Sequence, residues 1–126
     1  VRNCRLRVDA DGVNGIRVKE PVKGAGEATR DGPFQFENIA ISGTAASGAA
    51  VRASGRQNCS FHNLRIHQSG ADRDGIATTN VEGELVDTCV SVTSEPLALS
   101  NSTFERRNVR LHGSPHTGCC QFNCGW

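Results

Sequence analysis

Apolar and polar residues alternate along this chain in short runs. Leu64 and Ile66 alternate with Arg65 and His67. After a polar stretch and Gly75, Ile76 and Thr78 alternate with Ala77 and Thr79. Alternation with a period of two, closed by Gly and Asp, is the pattern of a strand with one buried face. No window carries a sustained 3.6-residue apolar period, so no helix is expected.

The same unit returns: Asn, apolar, any, apolar, a polar turn, then Gly, apolar, any, apolar. It reads Asn3-Cys4-Arg5-Leu6 with Gly15-Ile16-Arg17-Val18, then Asn38-Ile39-Ala40-Ile41 with Gly48-Ala49-Ala50-Val51. A third copy is Asn63-Leu64-Arg65-Ile66 with Gly75-Ile76-Ala77-Thr78. A degenerate copy puts Cys89 where the others have Asn, and a fifth begins at Asn108. The corner positions are spaced by 35, 25, 26 and 19 residues, the first interval carrying a Gly-, Pro- and charge-rich insertion at about 20–33. A further apolar segment precedes each corner and places Phe36, Phe61 and Phe104 at one point of the repeat.

Three short strands in each roughly 20–25 residues, none able to bury its apolar side alone, predict a parallel β-helix (solenoid). The expected fold is all-β, a single domain over 1–126 of about five coils. The three Phe rings are expected to stack in the core and the Asn residues to stack at one bend. Gly at the start of the second strand suits a corner with positive φ. An antiparallel sandwich would also show short alternating strands, but gives no reason for Asn-apolar-any-apolar to repeat.

The Asn ladder, short parallel strands and Gly corners resemble the right-handed parallel β-helix of the pectin-lyase-like superfamily. More locally, Asn14-Gly15-Ile16-Arg17-Val18-Lys19 and the later Phe34-Gln35-Phe36-Glu37-Asn38-Ile39 look like segments of polygalacturonase-type glycoside hydrolases. That resemblance implies a carboxylate-binding role for Arg17 and Lys19. It carries over no catalytic residue. Inverting hydrolysis needs two carboxylates about 6.5–9.5 Å apart, and the Asp-Asp and Gly-His-Gly motifs of that family do not occur. Arg17 and Lys19 read equally well as outward residues of a solvated strand.

Composition changes the picture in one respect. The formal net charge is +1, which gives no field pointing to nucleic acid or a membrane. No apolar run approaches the roughly 18 residues that a membrane span needs. Six cysteines in 126 residues, however, fit an oxidising compartment, and Asn58-Cys59-Ser60 and Asn101-Ser102-Thr103 are N-glycosylation sequons. Secretion is expected. Cys4, Cys59, Cys89, Cys119, Cys120 and Cys124 are the disulfide candidates, the last three within a C-terminal cap at about 113–126.

Outward positions next to the corner form two columns, Arg5, Ala40, Arg65, Ser91, Arg110 and Arg7, Ser42, His67, Thr93, His112. Rungs about 4.8 Å apart would merge them into a basic stripe. Arg65, His67, Arg110 and His112 therefore join Arg17 and Lys19 as candidates for binding an acidic polysaccharide, against the plain alternative of a solvated face. Asp9-Ala10-Asp11-Gly12 and Asp72-Arg73-Asp74-Gly75 are ordinary turns or, through Asp72 and Asp74, the start of a Ca²⁺ site. No histidine has metal-ligand spacing to another His or to a Cys pair.

Two functions follow. One is an extracellular structural module of a filament, fibre or surface assembly. The other is a polysaccharide-active enzyme, or a fragment of one. Val1 to Val8 already reads as part of a coil. The first coil is therefore expected to be covered by another copy, another subunit or further residues of the same chain. Head-to-tail contact of that kind gives an open filament unless it closes into a ring.

Overall fold

The structure, a computed structural model, describes residues 2–18 and 34–113, except for the side chains of Arg56 and Gln57. The seven strands are β1 (Arg2–Arg7), β2 (Ile16–Val18), β3 (Phe34–Gly43), β4 (Ala49–Gln68), β5 (Asp74–Ser91), β6 (Leu97–Ser100) and β7 (Thr103–His112). Every pairing between them is parallel. This is the parallel β-solenoid that the repeat predicts, with three strand segments per turn.

Three faces result. Face one stacks β1 on residues 38–43, 63–68, 87–91 and 108–112. Face two stacks β2 on 49–54, 74–79 and β6. Face three stacks 34–37 on 59–62, 83–86 and 104–107. The long strands β4 and β5 each run through two corners. The bends are made by residues at positive φ. Asn3, Asn38, Asn63, Asp87 and Asn108, with φ between 50° and 55°, turn face three into face one. Asn and Asp tolerate this region better than other non-Gly residues because their short polar side chains bond locally.

The count of about five coils is corrected. Five corner residues bound four turns. Three of these, from Asn38 to Asn108, lie wholly among the described residues, and the first passes through the insertion, outside them. The expected cap is likewise outside, apart from Gly113.

The register differs at two places. The degenerate corner is Asp87, not Cys89, because Thr88 and Cys89 pair with Val109 and Arg110. The outward columns therefore read Arg5, Ala40, Arg65, Cys89, Arg110 and Arg7, Ser42, His67, Ser91, His112. On face two, Val51 pairs with Ile16, not with Val18. Both errors are slips of two residues, which leave the inward and outward sets unchanged. The glycine expectation also fails at two positions. Gly15 and Gly75 do not have positive φ and are needed for close approach instead. A Cβ at Gly15 would lie 2.9 Å from the Ala50 carbonyl oxygen, and one at Gly75 would collide with Val90 and the Pro96 carbonyl.

The core is a set of inward ladders. Ile39 and Leu64, then Ile41, Ile66 and Val90, are buried on face one. Val51 and Ile76 are buried on face two, and Phe61 and Leu85 on face three. Each such side chain contributes roughly 1.5–3 kcal/mol by leaving water. Phe36 lies stacked on Phe61, with ring centroids 5.0 Å apart at 12°. Phe104 reaches Phe61 at 6.4 Å and 48°. Its backbone pairs with Gly83, which has no side chain to intervene.

Candidate functional site

Face one carries the chemistry that the sequence singles out. At its edge the corner side chains form a ladder along the solenoid. Asn38 Nδ2 donates to Asn3 Oδ1 at 2.9 Å, and Asn63 Nδ2 to Asn38 Oδ1 at 2.7 Å. Asn108 Nδ2 donates to Asp87 Oδ1 at 2.9 Å. A shorter ladder joins Asn101 Nδ2 to Asn80 Oδ1 at 2.6 Å. The first ladder fixes where the outward side chains of each rung begin, so the columns beside it stand in register.

Those columns alternate. Arg5 and Arg7 share the first rung, Ala40 and Ser42 the second, and Arg65 and His67 the third. Cys89 and Ser91 form the fourth, and Arg110 and His112 the fifth. Over the second rung lies a trough of about 710 Å³, flanked by Arg5, Arg7 and Arg65 and edged by Asn3, Asn38 and Asn63. A smaller one of about 160 Å³ lies over Cys89, between Arg65 and Arg110, with Asp87 at its edge. Arg65 lines both. Arg5, Arg7, His67 and His112 are exposed, while Arg65 is half-buried. Arg7 shares its charge with Asp9, Nε to Oδ2 at 2.9 Å.

The structure thus brings four of the six proposed binding residues, Arg65, His67, Arg110 and His112, onto one face. Arg17 is exposed on face two, stacked on Arg52. The two line a separate trough of about 270 Å³ with Asp74. Lys19 lies outside the described residues.

The Asp-rich turns serve the backbone. Asp9 Oδ1 accepts from the Thr44 amide at 2.9 Å and its hydroxyl at 3.1 Å. Asp11 accepts from the Ala46 amide at 2.9 Å, and Asp74 from the Glu95 amide at 3.2 Å. Asp72 turns a corner at φ 56°. The hydrogen bond from Arg7, followed by that from the Thr44 amide, holds the Asp9 carboxyl below its ordinary value of 3.8. Among the described residues no three His, Cys, Asp or Glu side chains are grouped to hold a metal ion.

Of the cysteines, Cys59 is fully buried and Cys4 half-buried. Cys89, at an outward position, is only 4% exposed. No two of the described cysteines are joined to each other. Cys119, Cys120 and Cys124 lie outside the described residues. Of the sequon residues, Asn58 is exposed at φ 57° beside a register shift in β4. Asn101 is exposed too, but its amide nitrogen is engaged by Asn80.

One polar group escaped the sequence reading. Arg73, inside the Asp-Arg-Asp turn, points inward and is fully buried. Its Nη1 donates to the Ser47 carbonyl at 2.7 Å, and Nη2 is buried without a partner. Burial first, then the charge of Arg52, pushes it below the ordinary arginine value, while Asp74 pulls the other way. The overlooked signal is Gln68, which shares the parity of Leu64 and Ile66. An inward polar side chain needs a buried partner.

No helix among the described residues is long and apolar enough to cross a membrane. No family model, curated protein or solved structure matches the chain.

Proposed function

We propose that this chain is a secreted, extracellular β-helical structural module, part of a filament, fibre or surface assembly, which binds acidic glycans on face one. One observation carries the binding half: basic side chains stand on either side of the trough over Ala40 and Ser42. Exposed guanidinium groups recognise carboxylates and sulfates by paired, charge-assisted hydrogen bonds. The solenoid supports the structural half, since strands at the end of such a stack offer unpaired amides and carbonyls to a neighbour. Among the described residues β1 pairs with β3 alone, and β2 with β4 alone. On this reading Cys89, only 4% exposed at an outward position, is half of a disulfide, and with the exposed sequon residue Asn58 it favours an oxidising, glycosylating route. The Asn ladder and the three parallel faces favour kinship with right-handed pectin-lyase-like β-helices.

A second reading, a polysaccharide-active enzyme of the polygalacturonase or lyase type, is favoured by the face-two trough. There Arg17 and Arg52 stand beside the carboxylate of Asp74. Incubation with polygalacturonate and alginate separates the two. Binding without new reducing ends or unsaturated products supports the module, and turnover supports the enzyme. Filaments in electron micrographs of native material would support the assembly, and isolated particles would count against it.

A further inference from the structure

The basic residues of face one do not form a continuous stripe. They occur on the first, third and fifth rungs, and small residues occupy the second and fourth. Rungs in a parallel stack are about 4.8 Å apart, so like charge recurs about every 10 Å along the solenoid. The floor between is made by Ala40 and Ser42 in the first trough.

We propose that face one holds a linear acidic polysaccharide lying along the solenoid axis, with negative charge on alternate sugars only, as in an alternating hexuronate–N-acetylhexosamine chain. This rests on the glycan-binding reading above and specifies its ligand. The disaccharide of such an extended chain is comparable in length to two rungs. One carboxylate meets Arg5 and the next meets Arg65. The uncharged sugar between them sits over Ala40, with the Ser42 hydroxyl and the Asn38 corner beside it. Arg65, half-buried and common to both troughs, is the anchor.

A chain charged on every sugar fits less well. Its intermediate carboxylate would lie over Ala40 between guanidinium groups already paired with the carboxylates on either side, so it would have no cation of its own, and an uncompensated charge is costly to desolvate. The first trough carries the inference. The second is smaller, has Asp87 at its edge, and has Cys89 covered at its floor.

The test compares hyaluronan and polygalacturonate oligosaccharides of equal sugar number, at one salt concentration, by calorimetry on the full chain. Hyaluronan should bind several-fold more tightly despite carrying half the charge. Arg65→Ala should abolish binding of both. Ala40→Arg, which fills the trough while adding a positive charge, should weaken hyaluronan several-fold and not weaken polygalacturonate. Ser42→Arg repeats the test on the same rung, with circular dichroism confirming the fold of each variant. If polygalacturonate binds as well as or better than hyaluronan, the spacing inference is overturned and the acidic-glycan reading survives. If neither binds, both fail. If single-stranded DNA binds as tightly at equal charge, the face is a general polyanion surface and the inference is overturned.

Discussion

Arg73 Nε donates to Gln68 Oε1 at 2.8 Å inside the solenoid, with Arg73 fully buried and Gln68 only 1% exposed. Gln68 in turn donates to the Val8 carbonyl at 3.3 Å, so the pair ties together three successive passes of the chain. Replacing Gln68 by Leu leaves the guanidinium without this acceptor. The loss should be about 1.5–3 kcal/mol, the range for hydrogen bonds to charged groups. Arg73→Met removes the desolvated cation as well and should cost less. Urea denaturation of both variants checks the order, and a costlier Arg73→Met would contradict it.

Asp87 is the acceptor-only member of a ladder that otherwise runs on amides. Each Asn donates toward the preceding rung, but a carboxylate has no N–H to give Asn63. Asp87→Asn keeps the acceptor for Asn108 and supplies the missing donor. It should stabilise the fold by about 0.5–1.5 kcal/mol. A lowered melting temperature would argue that the carboxylate has another role at that corner.

Phe61 sits between Phe36 and Phe104 and is fully buried. Phe61→Ala should cost about 3–5 kcal/mol, the transfer and cavity terms together. Equilibrium unfolding in denaturant measures it. A loss below about 1 kcal/mol would mean the stack collapses around the gap far better than core packing normally allows.

Asp9 makes stability depend on acid in a defined direction. Its folded carboxyl titrates below 3.8, so the native state binds that proton less readily than the unfolded chain. The contribution is fully present above the ordinary value and is lost as pH falls through the lower, folded value. Asp9→Asn should therefore flatten the fall in stability below about pH 4 while changing its form little at neutral pH. Thermal melts across that range would expose a mistaken assignment as an unchanged slope.

The sequence made the fold legible because period-two alternation reports which side a residue faces, and the corner Asn reports where each turn begins. Ile39, Leu64, Ile66, Ile76 and the three Phe residues were readable in this way. Register was less so. A slip of two residues keeps every side chain on its own face, and so in the sequence Cys89 reads as the corner that belongs to Asp87. The basic rungs were visible as columns, and so was their alternation with small residues, although the fourth rung read as Ser91 and Thr93 where the structure has Cys89 and Ser91. Arg73 was hidden because two flanking carboxylates and Gly75 make it look like an exposed turn.

The turns are unequal. Asn38 and Asn63 are 25 residues apart, whereas Asp87 and Asn108 are 21 apart. Were the repeats identical, a nascent chain could slip by a whole turn and still bury the same kinds of side chain. Unequal lengths make a slipped stack differ from the native one, since the step from His67 to Ile76 is nine residues and that between their partners Ser91 and Leu97 is six. The buried Arg73 adds to the difference, because among the described residues one turn alone offers it Gln68 and the Ser47 carbonyl. The irregularity that obscures the repeat thus distinguishes the native order of stacking from a slipped one.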